Sequence, residues 1–421
     1  MSDRGRNRQT DIFIRGIAGK MPAVPVGQAR LEARAREVMS SEGFAYVAGG
    51  AGGEATMAAN RAAFDKWRIV PRILRDVSNR DLSVSLFGRT LSAPVLLAPV
   101  GVLEVAHREA DAAVARAAAA EGVPYIFSSQ ASISMENCAS VMGDSPRWYQ
   151  LYWSRSDDLV RSFVSRAERC GCEAIVVTLD TSWLGWRTRD LDLGYLPFIR
   201  GQGIAQYTSD PVFRAMMEEP LTGPPGNKPP LNLDTVRSML KMIQRHPGSL
   251  IENLRTGAPR KAVQKFLATF SRPSLTWESL EFLRGLTSLP ILLKGIQHPS
   301  DALQAIDRGM NGVIVSNHGG RQVDGAIGSL DALPAVVHAV AGRVPVLFDS
   351  GIRGGADIFK ALALGANAVC IGRPYVYGLA IGGSAGVQEV IQNMIAELDL
   401  TLGLAGCSSL AELSPDLLQQ I

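Results

Sequence analysis

The 421-residue chain carries 43 Lys+Arg against 40 Asp+Glu and is 46% apolar. Near-balanced charge without a long basic block argues against a nucleic-acid partner, and the apolar content is enough for a globular core. No run of about 18 apolar residues marks a membrane span, and no apolar stretch follows the arginine-bearing start MSDRGRNRQT as it would in a secretory signal, so that start is expected to be a loose tail.

In chain order, residues 28–75 read as helical, opening into a loop at AGGAGGEA. Eight short apolar runs follow: PVLLAPV (94–100), PYIFSS (124–129), RWYQLY (147–152), AIVVTLD (174–180), PILLKG (290–295), GVIVSN (312–317), PVLFDS (345–350) and AVCIG (368–372). Helical signatures separate them. READAAVARAAAAEG (108–122) is alanine-rich and stops at glycine, and DDLVRSFVSRAERCG (157–171) opens on aspartate and stops the same way. PSDALQAIDRG (299–309) has proline near its start and glycine at its stop. Continuously apolar strands alternating with helices predict a parallel sheet covered by helices. Eight such units predict an α/β fold, a closed (β/α)8 TIM barrel, with a doubly wound open sheet as the alternative. A single domain is expected over 1–421, with its barrel core at about 90–390 and a helical segment before it.

The rhythm breaks after the fourth strand. An insertion over about 188–275 contains the Pro/Gly-rich LTGPPGNKPPLN (221–232), and a helix is expected beyond it at TWESLEFLRGL (276–286). So long an excursion inside a barrel predicts a lid or an interface element. Cys138, Cys170, Cys172, Cys370 and Cys407 are scattered, and the C-x-C of Cys170 and Cys172 has no second pair at metal-site spacing. They read as reduced thiols of a cytoplasmic protein, with no metal expected.

Barrel enzymes draw their sites from the C-terminal ends of strands. Here nearly every strand exits on a polar, charged or glycine residue. The series runs Gly101; Ser128 and Gln130; Gln150 and Tyr152; Thr178 and Asp180; Lys294; Ser316, Asn317 and His318; Asp349; Gly372 and Arg373. DSGIRGGAD (349–357) and IGRP (371–374) place glycines, Arg353 and Arg373 at the last two turns, where barrels often bind phosphate. The plainer alternative is a pair of tight turns. In SNHGGRQ (316–322), two glycines let the backbone turn so that His318 and Arg321 face one cavity. A carboxylate such as Asp180 can fix the imidazole tautomer, and an arginine can grip a carboxylate bidentately. A structural strand-end histidine is the alternative to a base beside an anion anchor. Lys294, ending an apolar strand, calls either for a salt bridge to Asp180 or Asp349 or for a neighbour that gains negative charge. His246 and His338 read as helix or surface residues, and His107 and His298 as turns before helices.

Taken together, SNHGGRQ, LPILLKG, FDSGIRGGADIFKALALGANAV, IGRP, RWYQLY and NRAAFDKWRIVPRIL resemble the FMN-dependent α-hydroxy acid oxidising family, which is similar to this chain over roughly 30–415. The stretch LDTSWLGWRTRDLDLGYLPF and the insertion after it look most like the lactate 2-monooxygenase branch. The resemblance implies FMN as cofactor, a small 2-hydroxy acid and O₂ as partners, and a homotetramer or homo-octamer. It implies His318 as the base, Asp180 as its carboxylate partner, and Arg321, Arg187 and Tyr46 around the substrate carboxylate. Tyr152 would lie near the substrate hydroxyl. Lys294 would sit beside flavin N1, where its charge stabilises the reduced ring. Pro99, Val100, Gly101, Ser128, Gln150, Thr178 and Ser316 would line the ring and ribityl chain, and Asp349, Gly351, Arg353, Gly372 and Arg373 the ribityl and phosphate end.

Some positions depart from the family pattern. Trp186 stands where many members have arginine, and Thr188 where the monooxygenase pattern has proline. Gln130 replaces an aromatic near the substrate side chain. Gly101 is alanine in some members, and the smaller residue leaves more room beside the flavin, as in the monooxygenase. The implied reaction oxidises the acid to its 2-oxo acid with O₂ as acceptor. Peroxide forms if the product leaves first, and oxidative decarboxylation follows if a lid retains it.

Overall fold

The predicted strands all form, and each lies inside the segment expected for it, give or take a residue. In the computed structural model, which describes residues 3–219, 230 and 232–421, they are β1 (Val95–Leu97), β2 (Tyr125–Phe127), β3 (Arg147–Leu151), β4 (Ile175–Thr178), β5 (Ile291–Ile296), β6 (Gly312–Val315), β7 (Val346–Phe348) and β8 (Ala368–Ile371). They close into a parallel barrel in which β8 returns to β1, a TIM barrel. The open-sheet alternative is excluded by that closure.

Strand periodicity divides the core in two. Leu96, Ile126, Val176, Leu292, Ile314 and Leu347 point into the barrel, while their neighbours Val95, Leu97, Val177, Leu293 and Val313 face the surrounding helices. Both sets are fully buried, so the runs are apolar throughout. An antiparallel hairpin, Val84–Leu86 with Arg89–Leu91, packs Leu86 and Leu91 into the interior cluster. Phe87 meets Trp148 edge-on there at 5.7 Å. Trp148 is near the start of β3, so the hairpin plugs the N-terminal end and leaves the C-terminal end as the mouth.

The expected loose start is instead a helix, Arg4–Ile17. What fixes it lies far away in sequence. The Gly5 N–H donates to the buried Asp399 carboxylate, Arg8 reaches Asn393 and Glu389, and Arg80 ties Asp3 to Asp399. Asp399, Asn393 and Glu389 sit on the last helix, Arg373–Leu404, which kinks at Gly382 and Gly383 and also packs on the alanine-rich helix Ala110–Glu121.

The insertion between β4 and β5 is helical where it is described, with helices including Pro211–Met216, Leu233–Arg245, Leu250–Thr256 and Ala258–Thr269. The Pro/Gly-rich stretch 221–232 lies almost wholly outside the described residues. An aromatic cluster holds the insertion to the barrel: Tyr207 contacts Phe163, Phe213 and Phe266 at centroid distances of 5.1, 5.4 and 4.8 Å. Beside it, the buried Arg166 pairs with Asp210 at 2.9 Å and with Glu136 at 2.8 Å, and donates to the Gln206 carbonyl. Removing one partner of a buried ion pair costs about 3–5 kcal/mol, because the other is left uncompensated. Arg166→Ala is therefore expected to destabilise the protein by about 3 kcal/mol in denaturant unfolding and to make the insertion the first site of limited proteolysis.

Candidate active site

The strand ends converge as the pattern predicts. The mouth cavity is lined by Tyr46, Pro99, Val100, Gly101, Tyr152, Arg187, Lys294, His318 and Arg321, and, toward its far end, by Asp349, Gly351, Arg353, Gly372 and Arg373. Ser128, Gln150, Thr178 and Ser316 are buried and do not line it, and Thr178 lines a second cavity instead. The first three form a buried chain, Ser128 Oγ donating to Gln150 Oε1 and Gln150 Nε2 to Thr178 Oγ1, at 3.1 and 2.9 Å. Asp180 lies behind His318. Ser316 Oγ accepts from both Lys294 Nζ and the His318 N–H.

The SNHGGRQ turn answers to its glycines. His318, Gly319 and Gly320 all have positive φ (59°, 66° and 75°). A Cβ on Gly319 would lie 2.7 Å from Arg373 Nη1, and one on Gly320 2.7 Å from the Met57 N. Asn317, paired with the buried Asn60, caps the turn by accepting from the Gly320 N–H. The tight reversal turns the side chains of His318 and Arg321 into one cavity.

His318 Nδ1 lies 2.8 Å from Asp180 Oδ1, and Tyr152 Oη 3.5 Å from His318 Nε2. Burial opposes the Asp180 charge, but His318, Lys294 and Thr181 overcome it, so its carboxyl titrates below the usual range. Burial holds the imidazole below its ordinary value against the pull of Asp180, with Lys294 and Arg187 acting in the same direction as burial. The dyad therefore rests as neutral imidazole and carboxylate, a base with its counter-charge already in place. Burial pushes the Tyr152 hydroxyl up to about 12, which keeps it a donor. Lys294 makes the salt bridge expected of a buried lysine, to Asp349 at 2.9 Å, and it also faces the mouth.

Arg321 and Arg187 stack near the Tyr46 ring, 5.0 and 6.0 Å from its centroid. Burial, with Arg187 alongside, pulls the Arg321 guanidinium down to about 9. Burial and Arg353 pull Arg373 down to about 10. The guanidinium groups of Arg321, Arg353 and Arg373 donate only to backbone carbonyls or to sulfur, and among the described residues none pairs with a carboxylate. Half-buried guanidinium groups without a carboxylate partner are suited to anions from outside the chain. Arg353 and Arg373, beside the glycine turns after β7 and β8, fit a phosphate. The buried Ser128–Gln150–Thr178 chain and Lys294 fit the polar edge of a ring system. This donor set fits FMN, and Arg321 with Arg187 and Tyr46 fits a carboxylate.

Three site residues escaped the sequence reading. Gln322 donates to the carbonyls of Asp180 and Trp183 and accepts from Arg187, clasping the segment after β4 onto the SNHGGRQ turn. Thr181 Oγ1 donates to Asp180 Oδ1 at 3.0 Å. Gly295 sits at a β5 register shift with φ 105°, and a Cβ there would lie 2.8 Å from Asp180 Cβ. A glycine inside an apolar strand is itself the signal of a bulge or a close approach. Of the departures from the family pattern, Gln130 lines the cavity, whereas the Trp186 side chain is exposed and its carbonyl accepts from the Gly52 N–H.

The sequence model of FMN-dependent dehydrogenases matches residues 35–420. The chain belongs to that family. It is 44% identical to an FMN-dependent α-hydroxy acid dehydrogenase of Penicillium citrinum, covering 98% of this chain and 95% of the relative. It is 42% identical to an L-lactate oxidase of Lysinibacillus sphaericus, covering 95% and 94%. A solved mandelate oxidase, in its structure with benzoyl-formic acid, superposes with a TM-score of 0.75 at 36% identity, over 94% of this chain and 98% of that one. The protein is thus an FMN-dependent 2-hydroxy acid oxidoreductase. Because Gly295 leaves no room for a side chain against Asp180, Gly295→Ala should displace the dyad and lower kcat/KM about 10²-fold, measured by steady-state kinetics with circular dichroism to confirm the fold.

Proposed function

We propose that the protein oxidises a small L-2-hydroxy acid, of which L-lactate is the type, to the 2-oxo acid with O₂ as acceptor. The observation that carries this reading is the pairing of a neutral, carboxylate-backed imidazole with two uncompensated arginines across one cavity. Arg321, Arg187 and Tyr46 hold the substrate carboxylate. This aims the α-carbon and its hydroxyl at His318, with Tyr152 donating to the hydroxyl oxygen. His318 takes one proton, and Asp180 stabilises the imidazolium that results. FMN, when bound, takes the two electrons and passes them to O₂, the part of the chemistry no side chain can supply. Lys294 places a fixed positive charge where the ring gains a negative one. Ser128, Gln150, Thr178 and Ser316 serve the ring edge through the hydrogen bonds described above, Pro99, Val100 and Gly101 its face, and Asp349, Gly351, Arg353, Gly372 and Arg373 the ribityl and phosphate end.

The whole chain works as one domain, the insertion as its lid, in a cytoplasmic homotetramer or homo-octamer. Among the described residues no helix is long and apolar enough to cross a membrane. A second reading concerns substrate size. Leu196, Phe198, Leu267 and Phe270, from the insertion, line the same cavity and favour a bulkier apolar side chain on the acid. Retention of the 2-oxo acid behind this wall would bring it into reaction with peroxide and release carboxylic acid, CO₂ and water, the monooxygenase outcome. Gly101 sets how tightly that space is filled, since a Cβ there would lie 3.0 Å from Gln130 Cβ.

His318→Ala is expected to cost at least about 10²–10⁴ in kcat/KM. The neutral imidazole is the active form, and its pKa is held down. The kcat/KM profile should therefore stay flat through neutral pH and fall only below about 6.5, the ordinary histidine value. An acid limb well above that value would contradict the assignment. Aerobic turnover of L-lactate and of (S)-mandelate, with peroxide, 2-oxo acid and decarboxylated acid all quantified, tests acceptor, size and outcome together. L-lactate giving peroxide in step with pyruvate identifies an oxidase, and acetate without peroxide a monooxygenase. Rapid reduction by lactate with slow reoxidation by O₂ would defeat the O₂ reading altogether.

A further inference from the structure

A 2-hydroxy acid carries four substituents on its α-carbon, and the mouth accounts for three. The carboxylate goes to Arg321, Arg187 and Tyr46, the hydroxyl to Tyr152 and His318, and the hydrogen is what the reaction removes. The fourth substituent, the side chain, must take the wall that remains. Most of that wall is apolar, with Leu196, Phe198, Leu267 and Phe270 supplied by the insertion. Gln130 is the exception. It lines the mouth at 8% exposure, and its side-chain amide has no hydrogen-bond partner among the described residues. Both amide atoms still keep accessible surface, unlike the walled-in Asp180 Oδ2, so a molecule in the mouth can reach them. Buried amides are almost always hydrogen-bonded, because leaving one unpaired among apolar groups is costly.

The backbone of Gln130 is fixed from both sides. Its N–H donates to Ser128 Oγ at 3.1 Å, and its carbonyl accepts from the Val102 N–H at 2.8 Å. Gly101 leaves room for its stem, since a Cβ there would lie 3.0 Å from Gln130 Cβ. Gly203, at φ 68°, lets the insertion close over the same peptide, because a Cβ there would lie 2.9 Å from the Gln130 carbonyl oxygen. An amide so placed offers an acceptor and two donors. A hydroxyl can answer both roles, and a methyl neither.

We infer that Gln130 binds an oxygen on C3 of the substrate, so that the preferred acid is a 2,3-dihydroxy acid, of which L-glycerate is the smallest, rather than an alkyl one. The inference rests on the reading of His318 as the base and Arg321 as the carboxylate anchor, and it narrows that reading. The 3-hydroxyl donates to the amide oxygen or accepts from the amide N–H. L-lactate, of the same handedness, puts a methyl at that place and leaves the amide unpaired inside an apolar wall. A site built to hydrogen-bond a hydroxyl discriminates against the analogue that lacks it. One such neutral hydrogen bond corresponds to about tenfold.

Two variants and two readouts test this. In anaerobic stopped-flow mixing with holoenzyme, L-glycerate should reduce the flavin about tenfold more efficiently than L-lactate. In Gln130→Met and Gln130→Leu that preference should vanish or reverse, with reduction by L-lactate retained. A preference for L-lactate in the unaltered enzyme, or one ratio shared by the enzyme and both variants, overturns the inference. The second readout needs no turnover. Hydroxypyruvate and pyruvate, titrated into oxidised holoenzyme and followed by the flavin difference spectrum, should differ in affinity by about tenfold, and the difference should be lost in both variants. FMN affinity of the apoprotein should be the same with and without the substitutions. Weakened FMN binding with an unaltered acid preference would assign the amide to the flavin instead and overturn the inference. If no hydroxy acid reduces the flavin, the reading of base and anchor fails separately, and the titration with the two 2-oxo acids alone decides the role of Gln130.

Discussion

One backbone carbonyl holds the two ends of the site together. Gly49 O, at the end of the helix Ser41–Ala48, accepts from Arg321 Nη1 at 2.8 Å and from Arg373 Nη2 at 2.9 Å. It lies at the negative end of a helix dipole, a partial charge that both guanidinium groups share. That is too little to neutralise two half-buried cations. The geometry is therefore incomplete without anions from outside, one at each end: a phosphate near Arg373 and Arg353, a carboxylate near Arg321 and Arg187. The glycines of the SNHGGRQ turn follow from the same crowding, since Gly319 has Arg373 where a side chain would be.

Lys294 plays the opposite part, a buried cation that is fully compensated. Asp349 pairs with it at 2.9 Å, and its pKa is raised against burial by Asp349 and Asp180 together. A charge so fixed acts on everything near it. It helps hold Asp180 ionised and helps hold His318 neutral, two opposite protonation states favoured by one ammonium. A base and its counter-charge would otherwise tend to share a proton and rest in the wrong form. The salt bridge expected of Lys294 is thus present, and the same residue also lines the mouth.

Much of this was legible in the sequence because it follows from local pattern. Eight apolar runs, with helices stopping at glycine, define a barrel before any contact is known, and the mouth follows because strands exit on polar residues. What escaped depends on distant contacts. The segment 4–17 looks like a charged tail until Asp399 supplies a buried acceptor for its first turn. Gly295 looks like an ordinary strand end until Asp180, just past the end of the neighbouring strand, is seen against its Cα. Gln322 lies inside a recognised motif, yet its work is to bind a segment well over a hundred residues earlier.

The two faces of the catalytic dyad are built differently, and the difference has a physical sense. Toward the substrate, the insertion presents leucines and phenylalanines, which exclude water and so strengthen every interaction between the arginines and a bound carboxylate. A dry face, however, leaves a newly formed imidazolium to be stabilised from behind. Toward the protein interior, Nδ1 lies 2.8 Å from the Asp180 carboxylate, and Thr181 Oγ1 donates to the same oxygen.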